Sequence, residues 1–561
     1  MSRRLLFMIF LLLSFALNAS ATNDKEEFSL PFDFPVLFSG NFAELRSNHF
    51  HGGLDFKTQG VTGKPIHAPA DGYVSRVTVT PGGYGNALYV THYNGYTTVY
   101  GHLDSFTPDI EACVRRRQYS DETFAVDLSF KQDEYPVQRG DVIAMSGNTG
   151  YSFGPHLHFE VRETESNELV NPLRFYKKHV KDSKPPKAYA VTLYPRPGRG
   201  VVNGDNKKCT RRIVDNNIKD TITAWGEVGF AVKALDFMDN TSNNYGVYHM
   251  ELHADDSLLF SCTMDRVAFS ENRLINAWVD YEAHYQHGEW YMRSHLLDNN
   301  PLRMLSADAN NGWLRVDEER IYEIRYLLAD MHGNVSSYAF VIKGEPSDIS
   351  AVNSAASQYL CWDIDNEIRD LGMRLKIPAG ELFEDAMLRV EREEMPDALS
   401  DRYSFNASTQ PLWHGCELSI QFKNMPPQEL LAKCYIRRVR GGGGYGVGGS
   451  YSDGRMVAKI TNLGSYEIAM DTIPPTVKPV NEKQWKRDGR LSFYIGDSET
   501  GVSSYKGYVD GEFRLFKFSS KNARLSCDLK SEGVARGTHS LRLVVVDGAG
   551  NETVIEKSFK Y

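Results

Sequence analysis

The chain has 561 residues, of which 41% are hydrophobic and 24% are charged. This is the composition of an ordinary globular protein, and the length predicts about three to five domains. The formal net charge is -9. Because proteins that bind nucleic acids usually carry basic patches, this charge gives no reason to expect a nucleic acid as a partner.

The N-terminus has the pattern of a secretion signal. Arg3 and Arg4 precede an apolar run over residues 5–17, and the small residues 19–21 follow. This order predicts a cleaved signal peptide over residues 1–21. The apolar run is shorter than the ~20 residues of a membrane span, and no cysteine near the cleavage point could carry a lipid. We therefore predict an exported protein without a membrane span, in the periplasm or at the cell surface.

The seven cysteines are scattered along the chain, and none belongs to a C-x-x-C pair. A zinc site built from cysteines is therefore not expected. Export permits disulfides, but the odd number leaves at least one thiol free. We expect either no disulfide or one.

Residues 34–178 contain many short β-type segments separated by glycine. Residues 72–80, 86–94 and 96–103 are rich in β-branched and aromatic residues, and the turns between them contain Pro-Gly-Gly and Asn-Gly. These patterns predict an antiparallel β domain.

Two similar units follow this domain. The strings "DSKPP" (182–186) and "DTIPP" (471–475) introduce them, and each ends in an apolar strand, an Asp-x-x-Gly-Asn turn and a second strand. The turns begin at Asp330 and Asp547, and the pattern predicts β-hairpins over residues 322–343 and 539–560. We interpret residues 182–345, with insertions, and 471–561 as β-sandwich units that resemble bacterial immunoglobulin-like modules.

Residues 346–470, between these units, are predicted to form a further β-rich domain. Their glycine-rich segment 440–455 is not followed by Gly-Lys-Ser/Thr, so we interpret it as a hairpin loop and not as a phosphate-binding loop. The predicted fold class of the whole chain is all-β and multidomain.

Histidine and aspartate recur in the short motifs of the first domain. His51 and Asp55 stand four apart with two glycines between them, His102 ends an aromatic strand, and His156 and His158 share one face of a strand. Imidazole and carboxylate groups together suit Zn²⁺, and three ligands plus water would make a catalytic site. The alternative, in which each is an ordinary packed histidine, is our interpretation of His67, His92, His284, His287 and His332.

Several of these motifs occur in the order found in one family. "HGGLDF", "GKPIHAPADGYV", "GYGNALYVTHYNGYTTVYGHL" and "VQRGDVIAMSGNTGYSFGPHLHFEVR" resemble the lysostaphin/LytM-type zinc metallopeptidases, which cleave peptidoglycan. The resemblance covers roughly residues 40–175. It implies that His51, Asp55 and His158 bind one Zn²⁺ and that His102 and His156 are catalytic without binding the metal.

The same resemblance gives weaker indications for neighbouring residues. Tyr84 and Asn86 lie where the family lines its groove. His49 is not expected to be a ligand, because only His51 has an aspartate four residues later.

One insertion departs from the family pattern. Residues 104–136 stand where the family usually has a short link, and they include the run Arg115–Arg117. We interpret this run as a solvated surface; the alternative is a groove wall that contacts acidic groups of stem peptides.

The resemblance implies an exported zinc metalloendopeptidase that hydrolyses the peptide cross-links of peptidoglycan, with stem peptides as its partner. Two alternatives remain at this stage: an inactive adaptor that activates a separate wall hydrolase, and a zinc peptidase that acts on a protein. The C-terminal β domains could bind a protein partner.

Overall fold

The structure is a computed structural model that describes residues 28–351, 358–406, 410–441 and 443–561. The predicted signal peptide, residues 1–21, lies outside these ranges. Strands dominate the described residues and form several separate sheets, so the predicted all-β, multidomain class is confirmed. No helix within these ranges has the length and apolar character needed to cross a bilayer.

The first domain is built on an antiparallel sheet. Its strands are β1 (Phe38–Gly40), β2 (Leu45–Arg46), β3 (His49–Phe50), β4 (Leu54–Lys57), β5 (Pro65–His67), β6 (Gly72–Val79), β7 (Asn86–His92), β8 (Tyr96–Gly101), β9 (Ser105–Phe106), β10 (Val126–Ser129), β11 (Pro136–Val137), β12 (Val142–Met145), β13 (His156–Glu163) and β14 (Leu169–Val170). The central order is β1-β4-β13-β8-β7-β6-β10. Strand β13 therefore lies between β4 and β8, and this arrangement brings the predicted site motifs together.

The insertion in this domain contains a helix, Pro108–Ser120, which the sequence analysis did not predict. Proline at the start needs no hydrogen-bonded N–H, and the acidic Asp109 and Glu111 lie in the first turn, where the helix dipole favours them. Ile110 and Val114 are buried against the domain core. Short helices follow at Leu173–Tyr176 and Lys177–His179.

The second unit forms one large sheet with a core of its own. Its strands are β15 (Lys187–Val202), β16 (Cys209–Arg212), β17 (Ile222–Leu235), β18 (His249–Ala254), β19 (Ser257–Thr263), β20 (Arg266–Val267), β21 (Met292–Arg293), β22 (Leu305–Ala307), β23 (Leu314–Val316), β24 (Ile321–Ala329) and β25 (Val335–Gly344), and its helices are Phe269–Leu274, Ile275–Trp278 and Tyr281–His287. The order β16-β15-β17-β25-β24-β18-β19-β22 places the first predicted hairpin, β24 with β25, inside the sheet. That hairpin prediction is confirmed.

The first domain and the second unit are joined through both a sheet and a core. Strand β20 of the second unit pairs with β14 of the first domain. Phe42, Phe50 and Leu169 of the first domain are buried in the core of the second unit. The ring of Phe50 lies 6.1 Å from that of Trp278, so the residue next to His51 packs against the second unit.

The third unit has two five-stranded sheets that share one core. Its strands are β26 (Gln358–Leu360), β27 (Asn366–Asp370), β28 (Met373–Ile377), β29 (Ala386–Leu388), β30 (Val390–Glu393), β31 (Arg402–Phe405), β32 (Pro411–Gln421), β33 (Cys434–Arg440), β34 (Gly443–Gly446), β35 (Ser450–Ser452), β36 (Arg455–Asn462) and β37 (Ser465–Met470), with a short helix at Gln428–Lys433. The glycine-rich segment follows β33 and returns as β34, which confirms the predicted hairpin.

The last unit has two four-stranded sheets over one core. Its strands are β38 (Thr476–Pro479), β39 (Arg490–Gly496), β40 (Val502–Val509), β41 (Glu512–Arg514), β42 (Lys517–Ser519), β43 (Arg524–Asp528), β44 (Thr538–Asp547) and β45 (Glu552–Lys560), with short helices at Glu482–Gln484 and Trp485–Asp488. Strands β44 and β45 form the second predicted hairpin, so this prediction is confirmed as well.

The last unit is in contact with the first domain. Arg115 of the inserted helix donates a hydrogen bond to Glu532 at 3.0 Å, and Ser520 donates one to the carbonyl of Pro81 at 2.9 Å. Lys521 binds Asn148. Neither interpretation of Arg115 therefore holds, because its partner is another unit of the same chain. Arg117 pairs with Asp121 on the exposed face of the helix, as expected for a solvated surface.

All seven cysteines have free thiols. Cys262, Cys416, Cys434 and Cys527 are buried in hydrophobic cores. Burial raises the pKa of the Cys416 thiol to about 12, so this residue serves as a small apolar core residue.

Candidate metal centre and catalytic site

Three side chains meet above the centre of the first sheet. Asp55 of β4 lies directly opposite His158 of β13 in the antiparallel register, and His51 lies between β3 and β4. The carboxylate Oδ1 of Asp55 is 3.0 Å from His51 Nε2 and 3.0 Å from His158 Nδ1. The two imidazole nitrogens are 3.1 Å apart. All three residues are buried.

Both histidines turn one ring nitrogen toward this point. His51 Nδ1 lies 2.6 Å from the carbonyl oxygen of Asn41. A carbonyl can only accept, so Nδ1 carries the proton and Nε2 has the free lone pair. His158 Nε2 lies 3.0 Å from the carboxylate of Glu160, so Nδ1 is the nitrogen that faces Asp55 and His51.

The geometry fits a metal ion of zinc's size. Ligand distances of about 2.0–2.1 Å in a tetrahedral zinc site place neighbouring ligand atoms roughly 3.3 Å apart, close to the separations here. Burial raises the pKa of Asp55, but His51 and His158 outweigh it and hold that pKa well below its usual range. Burial lowers the pKa of His158, but Asp55 and Glu160 raise it to about 9 overall. The electrostatic environment therefore favours a cation between these side chains.

The two other predicted residues lie beside this cluster. The ring of His102 is 4.8 Å from that of His156 and 5.9 Å from that of His158. His102 Nδ1 donates to the carbonyl of Thr149 at 2.9 Å, and His156 Nδ1 donates to the carbonyl of Gly154 at 2.8 Å. Each therefore keeps an unprotonated Nε2, and that of His156 is 3.6 Å from Asp55 Oδ1.

Burial holds both of these imidazoles in the neutral form. It lowers the pKa of His102 to about 3, with His158 and His156 adding to the effect. Burial also lowers the pKa of His156, although Asp55 opposes the shift. A neutral imidazole can accept a proton, and this is what a general base requires.

Glu160 and Arg162 support the site and were missed by the sequence analysis. Glu160 is 1% exposed and accepts hydrogen bonds from His158, from the hydroxyl of Tyr84 at 2.5 Å and from Arg162 at 2.6 and 2.8 Å. Burial raises the pKa of Glu160, but Arg162 and His158 lower it to about 2. Such a carboxylate fixes the orientation of a ligand histidine. The signal was available, because positions 156, 158, 160 and 162 share one face of a strand.

Tyr84 and Asn86, which the resemblance places at the groove, also contact the residues that hold the site. Tyr84 bonds to Glu160, and its ring lies 5.3 Å from that of His158. Asn86 donates to the carbonyl of Leu103 at 3.2 Å and so holds the turn in which His102 adopts a left-handed φ of 62°. His49 is exposed and binds the carbonyl of Ser47.

The glycines of the first motif are needed for a close approach. A Cβ atom on Gly53 would lie 2.0 Å from the carbonyl oxygen of Phe159, and one on Gly52 would lie 2.7 Å from the carboxylate of Glu160. Neither glycine has a positive φ. These glycines therefore allow the close contact with β13.

Two family models and several known proteins match parts of this chain. A model described as peptidase family M23 matches residues 49–119 and 125–172, and a model described as a Zu5-like domain matches residues 357–471. The DD-carboxypeptidase/endopeptidase Mpg of Neisseria meningitidis serogroup B is 34% identical over 129 residues, which are 23% of this chain and 23% of Mpg.

Two further relatives match the same part of the chain. The peptidoglycan DD-endopeptidase ShyB of Vibrio cholerae serotype O1 is 36% identical over 20% of this chain and 20% of ShyB. Lipoprotein NlpD of Yersinia enterocolitica is 34% identical over 21% of this chain and 93% of NlpD. The chain thus spans less than a quarter of the length of Mpg and ShyB, but nearly all of NlpD.

Proposed function

Because this chain belongs to peptidase family M23, we propose that it is an exported zinc endopeptidase that hydrolyses the peptide cross-links of peptidoglycan. The observation that carries the proposal is the convergence of Asp55 Oδ1, His51 Nε2 and His158 Nδ1 within 3.1 Å of one another. The names of Mpg and ShyB, both endopeptidases, support the type of bond and substrate.

In this proposal His51, Asp55 and His158 would hold Zn²⁺, and three protein ligands are the number found in catalytic zinc sites. A bound zinc ion would lower the pKa of a water molecule to about 7 and polarise the scissile carbonyl. Glu160 keeps the proton of His158 on Nε2, and Asn41 keeps that of His51 on Nδ1. These contacts orient the two rings so that His51 Nε2 and His158 Nδ1 face the proposed metal position.

His102 and His156 are proposed to act on the substrate. Their Nε2 atoms are unprotonated and belong to rings next to the ligand cluster. One can accept the proton that the attacking water loses, and the resulting imidazolium can stabilise the negative oxygen and return the proton to the leaving amine. Because their Nδ1 atoms are bound to backbone carbonyls, both rings are held in place for this transfer.

The later units are proposed to position the catalytic domain. The last unit contacts the loops at Pro81 and Asn148. The residue after Asn148, Thr149, fixes the ring of His102. The last unit therefore supports one side of the proposed site.

The proposal is tested by incubating purified sacculi with the full-length protein and analysing the released muropeptides by mass spectrometry. We expect cleaved cross-links with wild type and with His179→Ala, a matched control at an exposed histidine of the same domain. We expect strongly reduced cleavage with His156→Ala and none with a chelator. Glycan fragments with intact peptides would refute the proposal, and a zinc-loaded protein that releases nothing would favour the adaptor alternative.

A further inference from the structure

Acidic side chains surround a small cavity where the first domain meets the second unit. Asp182 comes from the linker, Asp236 follows β17, and Asp330 begins the turn between β24 and β25, which also carries His332. They line a cavity of about 10 Å³, whose wall also includes Asn41 of the first domain. This is space for about one water-sized sphere.

Three polar atoms of these lining residues have no hydrogen-bond partner among the described residues. They are Asp182 Oδ2, Asp236 Oδ1 and His332 Nδ1. Asp236 is 2% exposed, and the side chain of Asp182 is fully buried. A buried carboxylate without a partner is strongly unfavourable, and buried charges in proteins are normally paired or bind metal ions.

The imidazole of His332 presents a nitrogen to the same place. Its Nε2 lies 3.0 Å from the carbonyl of Val180, so Nε2 carries the proton and the neutral ring has a free lone pair on Nδ1. Nδ1 is 3.7 Å from Asp182 Oδ2. Two such atoms repel each other unless a cation lies between them. If His332 were doubly protonated, Asp236 Oδ1 would still lack a partner.

The last unit provides an internal comparison. Asp471, of the second "PP" string, corresponds to Asp182, and each accepts a hydrogen bond at Oδ1 from the backbone N–H two residues later. The other oxygen of Asp471 accepts a hydrogen bond from Thr500 at 2.6 Å, whereas that of Asp182 has no partner. The linker carboxylate is therefore satisfied by the protein in one unit only.

Asp236 of the second unit and Asp497 of the last unit differ in the same way. Asp497 follows β39 as Asp236 follows β17. Its Oδ1 accepts hydrogen bonds from three backbone N–H groups at 2.8–3.0 Å, and Asp236 Oδ1 accepts none. The repeat thus shows how backbone N–H groups can satisfy a carboxylate at this position, and Asp236 Oδ1 has no such donor among the described residues.

We propose that Asp182, Asp236, Asp330 and His332, here called the acidic junction, bind one divalent metal ion of the Mn²⁺ or Zn²⁺ class. One potential ligand atom from each of Asp182, Asp330 and His332 lies within 4.8 Å of the others. Ca²⁺ and Mg²⁺ prefer oxygen ligands alone, whereas an imidazole favours a transition metal. His332 is then a ligand and not the ordinary packed residue that we expected.

The charge balance supports a cation at this position. Three carboxylates share a cavity that admits one ion, and a dication offsets most of their charge.

The acidic junction is connected to the catalytic site through Asn41. Asn41, in the cavity wall, exchanges two hydrogen bonds with the backbone of Gly246 at 2.8 and 2.9 Å. Its carbonyl accepts the proton of His51. An ion here holds the linker, the end of β17 and the β24–β25 turn beneath the residue that orients His51, and it shares no ligand with the catalytic centre.

The test measures metal bound per full-length chain after dialysis against Mn²⁺ or Zn²⁺. The background is Asp55→Ala/His158→Ala, which removes two of the three predicted catalytic ligands. We expect this background to keep one equivalent and to show a higher melting temperature with metal. Adding Asp236→Asn should abolish both effects, and adding Asp497→Asn, the matched position in the last unit, should leave them unchanged.

Two results would overturn the proposal: no bound metal in the background protein, or one equivalent retained with Asp236→Asn. A melting temperature that rises with Ca²⁺ but not with Mn²⁺ or Zn²⁺ would overturn the assigned class. If Asp236→Asn does not fold, His332→Ala in the same background gives the same decision. No arm measures hydrolysis, so failure here is distinguishable from failure of the proposed peptidase function.

Discussion

Replacing Glu160 by glutamine tests whether zinc binding depends on the buried carboxylate behind His158. Glutamine keeps the shape and one acceptor oxygen but removes the charge. In wild type, Glu160 accepts four hydrogen bonds, two of them from Arg162. With glutamine, the positive guanidinium of Arg162 stays buried near His158 without a counter-charge.

The substitution should lower both the affinity for zinc and the stability of the fold. Loss of an outer carboxylate that orients a ligand histidine typically weakens metal affinity about 10–100-fold, which corresponds to about 1.4–2.8 kcal/mol. Removal of one partner from a buried ion pair typically costs about 3–5 kcal/mol of stability. Because Arg162 is 6% exposed and keeps a weaker bond to the amide oxygen, we expect the lower end of this range.

The assay is a competition titration of zinc against a chromophoric chelator, together with urea unfolding of the metal-free protein. Glu165→Gln is the matched control, because Glu165 is exposed just beyond the end of the same strand. A folded Glu160→Gln protein with wild-type zinc affinity would refute the reasoning that Glu160 orients His158. Equal losses in both variants would refute it as well.

Three further outcomes are expected. His102→Ala and His156→Ala should each keep bound zinc but lower the rate of cross-link hydrolysis by about 10²–10⁴-fold, and loss of zinc in either would contradict their assignment outside the metal. Arg115→Ala should lower the free energy of unfolding in urea by about 1–3 kcal/mol, because the buried Glu532 loses its cation, whereas Arg117→Ala should have little effect. The pKa of His102 is lowered from 6.5 to about 3 by burial, so only the unfolded chain binds a proton there between these values. Stability should therefore fall as the pH falls through this window, and urea titrations should show a smaller fall in His102→Ala.

The sequence carried most of the information about the β class and the two hairpins. Alternation over residues 322–343 and 539–560 with Asp-x-x-Gly-Asn turns depends on local chemistry, which a single sequence displays. The helix Pro108–Ser120 was missed because its buried positions are Ile110, Val114 and Gln118, so one member of the helical stripe is polar.

The sequence predicted only those site residues that belong to recognisable motifs. His51, Asp55 and His158 stand in recognisable strings, and the register of β4 with β13 brings them together. Asp236 belongs to no motif and reaches the acidic junction only through the path of β17. The pair Arg115–Glu532 joins residues 417 positions apart, and no local pattern predicts such a contact.

The shared core of the first two units has a consequence for the order of folding. The catalytic domain is synthesised before the second unit, and domains generally fold in that order. Phe50, next to His51, is buried against Trp278, and β14 obtains its outer partner, β20, from the second unit. We expect the catalytic domain to remain incompletely packed until residue 278 has emerged, so that a nascent chain reaches its active form late.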